Sequence, residues 1–149
     1  KIKRDLQEGK MNRKIDMIAV HCDANGNTKW GLKELDIFHR SEGYGGIGYH
    51  FWIDFEGKVH KTRPLNIKGC HVFDHNANSI GICLHGHSVF YHAQFKSLTT
   101  LLVELCKKYK LDTDRIFPHN YFTKIKPCPN FDLTHIKSEV ANILQESFK

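Results

Sequence analysis

IDMIAVHC, residues 15–22, is the stretch from which the architecture is read. It is a short apolar run that carries the β-branched residues Ile18 and Val20 and gives way to an imidazole. An apolar run of about 4–8 residues rich in β-branched side chains reads as a buried strand, here ending at His21. Strand side chains alternate between faces, so His21 and Cys22 point to opposite sides of the sheet. Cys22 is then expected in the core. His21 sits at the end of a buried strand, where open sheets tend to build their sites.

Downstream, GLKELDIFHR (31–40) repeats Leu32, Leu35 and Phe38 at helical spacing, with Gly43 as its stop. GYHFWIDFEGKVHKTR (48–63) alternates on either side of the turn residues FEG, which predicts a hairpin with strands near 49–54 and 58–62. PLNIKGCHVFDHNAN (64–78) has no periodicity and is expected to be a long surface loop, a kind of segment that often carries function. SIGICLHG (79–86) is a further buried strand. In AQFKSLTTLLVELCKKYK (93–110), Phe95, Leu98, Leu102, Leu105 and Tyr109 form one apolar stripe, and the lysine-rich end suits the helix dipole. Asp132 is placed to cap a last helix whose Ile136, Val140, Ile143 and Leu144 face inward. The sum is an α/β fold: one domain, with a small mixed sheet flanked by about three helices. Its core spans about 16–145 and residues 1–15 form an N-terminal extension.

A chain of 149 residues with 40% apolar content buries one substantial core and is too short to divide into two. Twenty-two Lys and Arg against 16 Asp and Glu leave a net charge of +6 and a pI near 9.1, which suits an anionic partner such as nucleic acid, an acidic membrane surface or a wall polymer. The basic residues are spread along the chain and form no reading helix or aromatic platform, which argues against specific nucleic-acid recognition. No apolar run approaches the roughly 18 residues of a membrane span, and KIKRDLQEGK at the start leads into no secretory core segment. A chain cytoplasmic as synthesised is therefore expected, with secretion as the alternative; separately, a monomer is expected. Five cysteines cannot pair completely, which favours a reducing compartment, and Cys83 and Cys106 lie in apolar runs as small hydrophobes.

Cys128 is different. In PHNYFTKIKPCPNFD (118–132) it stands between Pro127 and Pro129, on a stiff segment. Lys124 and Lys126 favour its thiolate, and His119 precedes it by nine positions. Catalytic zinc takes three protein ligands from His, Cys and carboxylates and leaves one place for water. His21, His119 and Cys128 are the candidates for such a set. On spacing alone the opposite reading also stands, with the lysines solvated and Cys128 packed beneath the loop.

Taken in order, AVHCDA (19–24), GIGYHFWIDFEGKV (46–59), KGCHVFDHNANSIGICLHG (68–86) and KPCPNFDL (126–133) resemble the zinc-dependent N-acetylmuramoyl-L-alanine amidases. The nearest likeness is to the amidase-type lysozymes of phages, with the peptidoglycan recognition proteins as broader kin. The resemblance implies one Zn2+ held by His21, His119 and Cys128, catalytic roles for Tyr49 and Lys126, and His71 beside the substrate cleft. It implies a peptidoglycan or muropeptide substrate, cut at the amide between the lactyl group of N-acetylmuramic acid and L-alanine. The interval from His119 to Cys128 is one residue longer than the phage enzymes lead us to expect, which bears on where Lys126 falls. The alternative within the same fold is a module that binds peptidoglycan without cutting it. Loss of the cysteine ligand is the usual mark of that fate, and Cys128 is present. His50, on the other face of its strand from Tyr49, is expected to be structural, whereas His85 and His87 around Gly86 fit a cleft border or an exposed turn equally well.

Overall fold

The computed structural model describes residues 12–123 and 127–147. Strand β1 (Met17–Cys22) runs through the interior of the sheet, parallel to β4 (Ser79–Leu84) on one side and to β5 (Ile116–Pro118) on the other. Its register sets Met17 opposite Ser79 and His21 opposite Cys83. Strand β2 (Phe51–Ile53) pairs in parallel with β4, and β3 (Val59–Lys61) adds antiparallel to β2, so the order is β3-β2-β4-β1-β5. The sheet is mixed, as the sequence predicts. Both β1 and β4 are buried along their whole length, which is why each reads as a nearly continuous apolar run.

Alternation divides the layers. Ile18, Val20, Phe51, Ile53, Ile80, Ile82 and Leu84 point to one face, where helix α2 (His92–Tyr109) packs Leu98, Leu102 and Leu105, and helix α3 (Thr134–Glu146) packs Ile136 and Val140. Each fully buried aliphatic side chain contributes about 1.5–3 kcal/mol of burial energy, so this face holds the sheet and both helices together. The opposite face carries a smaller cluster of Leu35, Ile47, Trp52 and Cys83, covered by helix α1 (Leu32–Ser41) together with Trp30 and Tyr49. His21 lies on this second face, at the end of β1. Among the described residues no helix is long and apolar enough to cross a membrane.

Several expectations need correction. The hairpin strands are three residues each, shorter than predicted. Phe38 is 52% exposed and His39 takes the buried place beside Leu35, because α1 covers only part of its face. Ile143 is likewise 37% exposed near the end of α3. Strand β5 was not anticipated: three residues ending in proline at a sheet edge offer no periodicity to detect. The 64–78 segment is no simple surface loop. Val72 is buried, the Asn76 side chain accepts the N–H groups of His71 and Val72, and Arg13 donates to the carbonyls of Leu65 and Ser79 at 2.8 Å each.

Candidate metal centre

Parallel pairing of β1 with β5 brings His21 near His119, which opens a short 3₁₀ turn (His119–Tyr121) directly after β5. The two imidazole centroids are 4.3 Å apart. The following chain folds back, with Asn120 N–H donating to Cys128 O at 2.8 Å and the Asn130 amide donating to His87 O at 2.7 Å. Cys128 thereby arrives at the end of β1, where Cys22 N–H donates to its sulfur at 2.9 Å. One donor atom from each of His21, His119 and Cys128 lies within 4.8 Å of the others. Two imidazoles and a sulfur at that separation fit a tetrahedral ion with bonds of about 2.0–2.3 Å. The Cys22 side chain is buried, as expected, while its backbone braces the sulfur.

Without an ion, the adjoining Cys22 thiol and burial push the Cys128 thiol up. Metal binding requires that proton to leave, so uptake of a cation here releases protons and weakens as pH falls. Lys124 and Lys126, which the sequence reading places beside this sulfur, lie outside the described residues. Tyr49 packs its ring 5.1 Å from that of His21 and 5.4 Å from that of His39. Burial pushes its phenol well above the usual range, so it remains an O–H donor at neutral pH.

His71 comes from the 64–78 segment and places Nδ1 2.8 Å from His21 Nε2, while its own Nε2 lies 3.2 Å from Ser79 Oγ. Burial, followed by the charges of neighbouring histidines and arginines, holds it well below the ordinary histidine value, hence neutral. His50 is fully buried, accepts Gly81 N–H on Nδ1 at 3.0 Å and donates from Nε2 to Ile67 O at 2.8 Å. Its role is structural, as expected.

Two groups escaped sequence reasoning. His39 accepts Gly48 N–H at 2.8 Å and packs its ring at a tilt against Tyr49, so the helix α1 histidine sets the backbone that presents the tyrosine. Asp23 accepts from His85 Nδ1 at 2.7 Å, Trp52 Nε1 at 3.0 Å and the N–H groups of Asn25 and Gly86. Burial works against charge on His85, but its bond to Asp23 prevails and raises its pKa. This pair is a buried brace between the chain ends after β1 and β4, which removes His85 from the cleft, while His87 is exposed. The available signal was position: Asp23 and His85 each follow directly on a buried strand.

A family model described as N-acetylmuramoyl-L-alanine amidase matches residues 11–131. The endolysin of Escherichia phage T7 is 35% identical over 133 residues, covering 83% of this chain and 86% of that protein. The endolysin of Klebsiella phage KP32 is 34% identical over 130 residues, covering 81% and 84%. Among solved structures, the N-acetylmuramoyl-L-alanine amidase LysC from Clostridium intestinale superposes with a TM-score of 0.80 at 30% identity, covering 87% of each chain. Drosophila PGRP-LB, at 20% identity and a TM-score of 0.69, shares the fold over 80% of this chain and 76% of its own. With a family match over most of its length and three residues able to hold a metal ion gathered at the end of β1, the chain belongs to the N-acetylmuramoyl-L-alanine amidase family and is a peptidoglycan amidase.

Proposed function

We propose that this protein works as a monomeric, endolysin-like enzyme with a single Zn2+ held by His21, His119 and Cys128, and that it releases stem peptides from glycan by cutting between N-acetylmuramic acid and L-alanine. The observation that carries the reading is the convergence of two ring nitrogens and one sulfur within 4.8 Å. All three come from one chain, so a monomer suffices. The relatives named endolysins support the lytic setting, and the positive net charge suits attraction to an anionic wall polymer.

An amide resists hydrolysis because resonance dulls its carbonyl and its amine leaves poorly. Bound at this site, zinc supplies a Lewis acid for the carbonyl and a nucleophilic water at neutral pH. The Tyr49 phenol, neutral and held against His21, orients the water or donates a hydrogen bond to the oxygen that gains charge. Lys126 is assigned by sequence resemblance as the cation facing that oxygen. His71 contributes from behind His21, as argued below.

The test pairs two variants. Cys128→Ala is expected to lose zinc and amidase activity together, while Lys126→Ala keeps zinc and loses about 100-fold or more in turnover, the usual cost of removing an oxyanion partner. Zinc content by elemental analysis and muramyl-peptide release by mass spectrometry read both. Full turnover in the Cys128 variant would sink the metal assignment. Wild-type protein that holds zinc and binds sacculi without releasing peptide would favour the binding-module alternative.

A further inference from the structure

We infer that His71 is a positioning residue for the metal ligand His21, fixing its tautomer and ring orientation, with Ser79 as the anchor behind it. The inference rests on the metal site proposed above and concerns which atoms hold its protons.

An imidazole that binds a cation through one nitrogen is neutral and carries its proton on the other, and the hydrogen bond made by that second nitrogen decides which is which. His21 Nε2 lies 2.8 Å from His71 Nδ1. With the proton on Nε2, His21 donates to His71 and presents Nδ1 to the ion. His71 must then accept at Nδ1 and carry its own proton on Nε2. That proton has an acceptor in Ser79 Oγ at 3.2 Å, on a residue that is wholly buried. The three side chains thus form a line with one consistent assignment of protons: His21 donates to His71, and His71 donates to Ser79.

The seat of the His71 ring is built for this purpose. A Cβ at Gly81 would sit 2.7 Å from the ring, and one at Gly69 would sit 2.6 Å from its Cδ2. Both positions therefore leave room that only glycine leaves. The Asn76 carboxamide accepts the backbone N–H groups of His71 and Val72 at 2.9 Å each and fixes the chain that delivers the ring. A histidine used mainly to touch substrate would not need both ring nitrogens committed to the protein.

The decisive measurement is long-range 15N–1H correlation of the zinc-loaded protein. It is expected to show the His21 proton on Nε2 and the His71 proton also on Nε2. A His21 proton on Nδ1 would overturn the inference. In parallel, zinc affinity is measured by competition with a chromogenic chelator. His71→Ala is expected to bind zinc about 10–100-fold more weakly, the usual loss when such a partner is removed. His71→Asn, whose Oδ1 falls near the place of Nδ1, should recover most of that affinity. Cobalt-substituted His71→Ala should also show shifted visible bands. An alanine variant that binds zinc as tightly as the wild type, or an asparagine variant as weak as alanine, would overturn the inference even if catalysis slows. Should the alanine variant fail to fold, the asparagine variant and the wild-type spectrum still decide. Wild-type protein unable to bind zinc would overturn the metal reading itself and this inference with it, an outcome separable from the others.

Discussion

Gly81 shows how one absent side chain sets the chemistry of another residue. In a strand interior glycine is a disadvantage of roughly 0.5–1 kcal/mol relative to alanine, so Gly81→Ala should stabilise β4 if nothing else changed. A methyl there would meet Cγ, Cδ2 and Nδ1 of His71 at 2.7–2.8 Å, too close for any real contact. Overpacking of that kind costs about 1–3 kcal/mol and outweighs the propensity gain. The variant is therefore expected to be less stable than the wild type in urea and to bind zinc more weakly, because His71 is pushed off His21. Equal or greater stability with unchanged zinc affinity would show that the ring has somewhere else to go. Gly48 obeys the same logic, since a Cβ there would collide with the carbonyl oxygen of Cys70, and no shift of a flexible side chain relieves contact with backbone.

At the level of elements, α2 is the member whose sequence and structure agree most closely. Leu98 and Leu102 are fully buried, Leu105 is nearly so, and Phe95 and Tyr109 pack against the same cluster. Leu102→Ala should cost about 2–5 kcal/mol through lost burial and the cavity left behind, whereas Thr100→Ala, two residues earlier on the opposite, exposed side of the helix, should stay within about 0.5 kcal/mol. Chemical denaturation of both variants checks the contrast, and a Leu102 variant as stable as the Thr100 one would remove α2 from the core. The start of this helix is tied to the sheet: the buried Gln94 amide donates to the carbonyls of His85 and Ile53 and its oxygen accepts Tyr91 N–H. Helix α1, by contrast, was legible as a helix but not in its buried face. Its leucine and phenylalanine spacing does not say that a histidine would supply the second buried side chain. Strand β5 left no trace, although His119, the second residue of the candidate metal cluster, follows directly on it.

For the whole molecule, buried neutral histidines govern the response to acid. His50 is held down to about 4 by burial, and protonating Nδ1 would also break the bond it accepts from Gly81 and set a cation near Arg13. The native state keeps His50 neutral while the unfolded chain takes up a proton below about 6.5. Its contribution is therefore complete above about pH 6.5 and is lost as pH falls towards about 4, amounting to about 3 kcal/mol. His39 is shifted in the same direction by burial and Arg63. His85 opposes them: its raised pKa adds stability at low pH that fades as pH rises through that value. We expect the unfolding temperature of the zinc-free protein to drop between pH 7 and pH 4, and His50→Asn to flatten the drop while lowering stability at pH 7. A wild-type profile already flat across that window would rule out a neutral buried His50 as the cause.

Residue type and local period suffice for much of this protein. The apolar runs at β1 and β4, the stripe of α2 and the stiff proline-flanked thiol are properties of neighbouring residues, so the chain itself determined a mixed sheet under helices and singled out His21, His119 and Cys128 as candidates, which the family resemblance joined into one set. What it left open depends on contacts between segments far apart. Whether Cys128 packs away or meets the imidazoles was decided by β1 pairing with β5 and by the Cys22 N–H that receives the sulfur. Whether His85 lines a cleft was decided by Asp23, and the hold of Ser79 and His71 on His21 by the two glycines that make room for a ring. No local pattern encodes these, because each is a distance between parts of the chain that only packing against one sheet brings together.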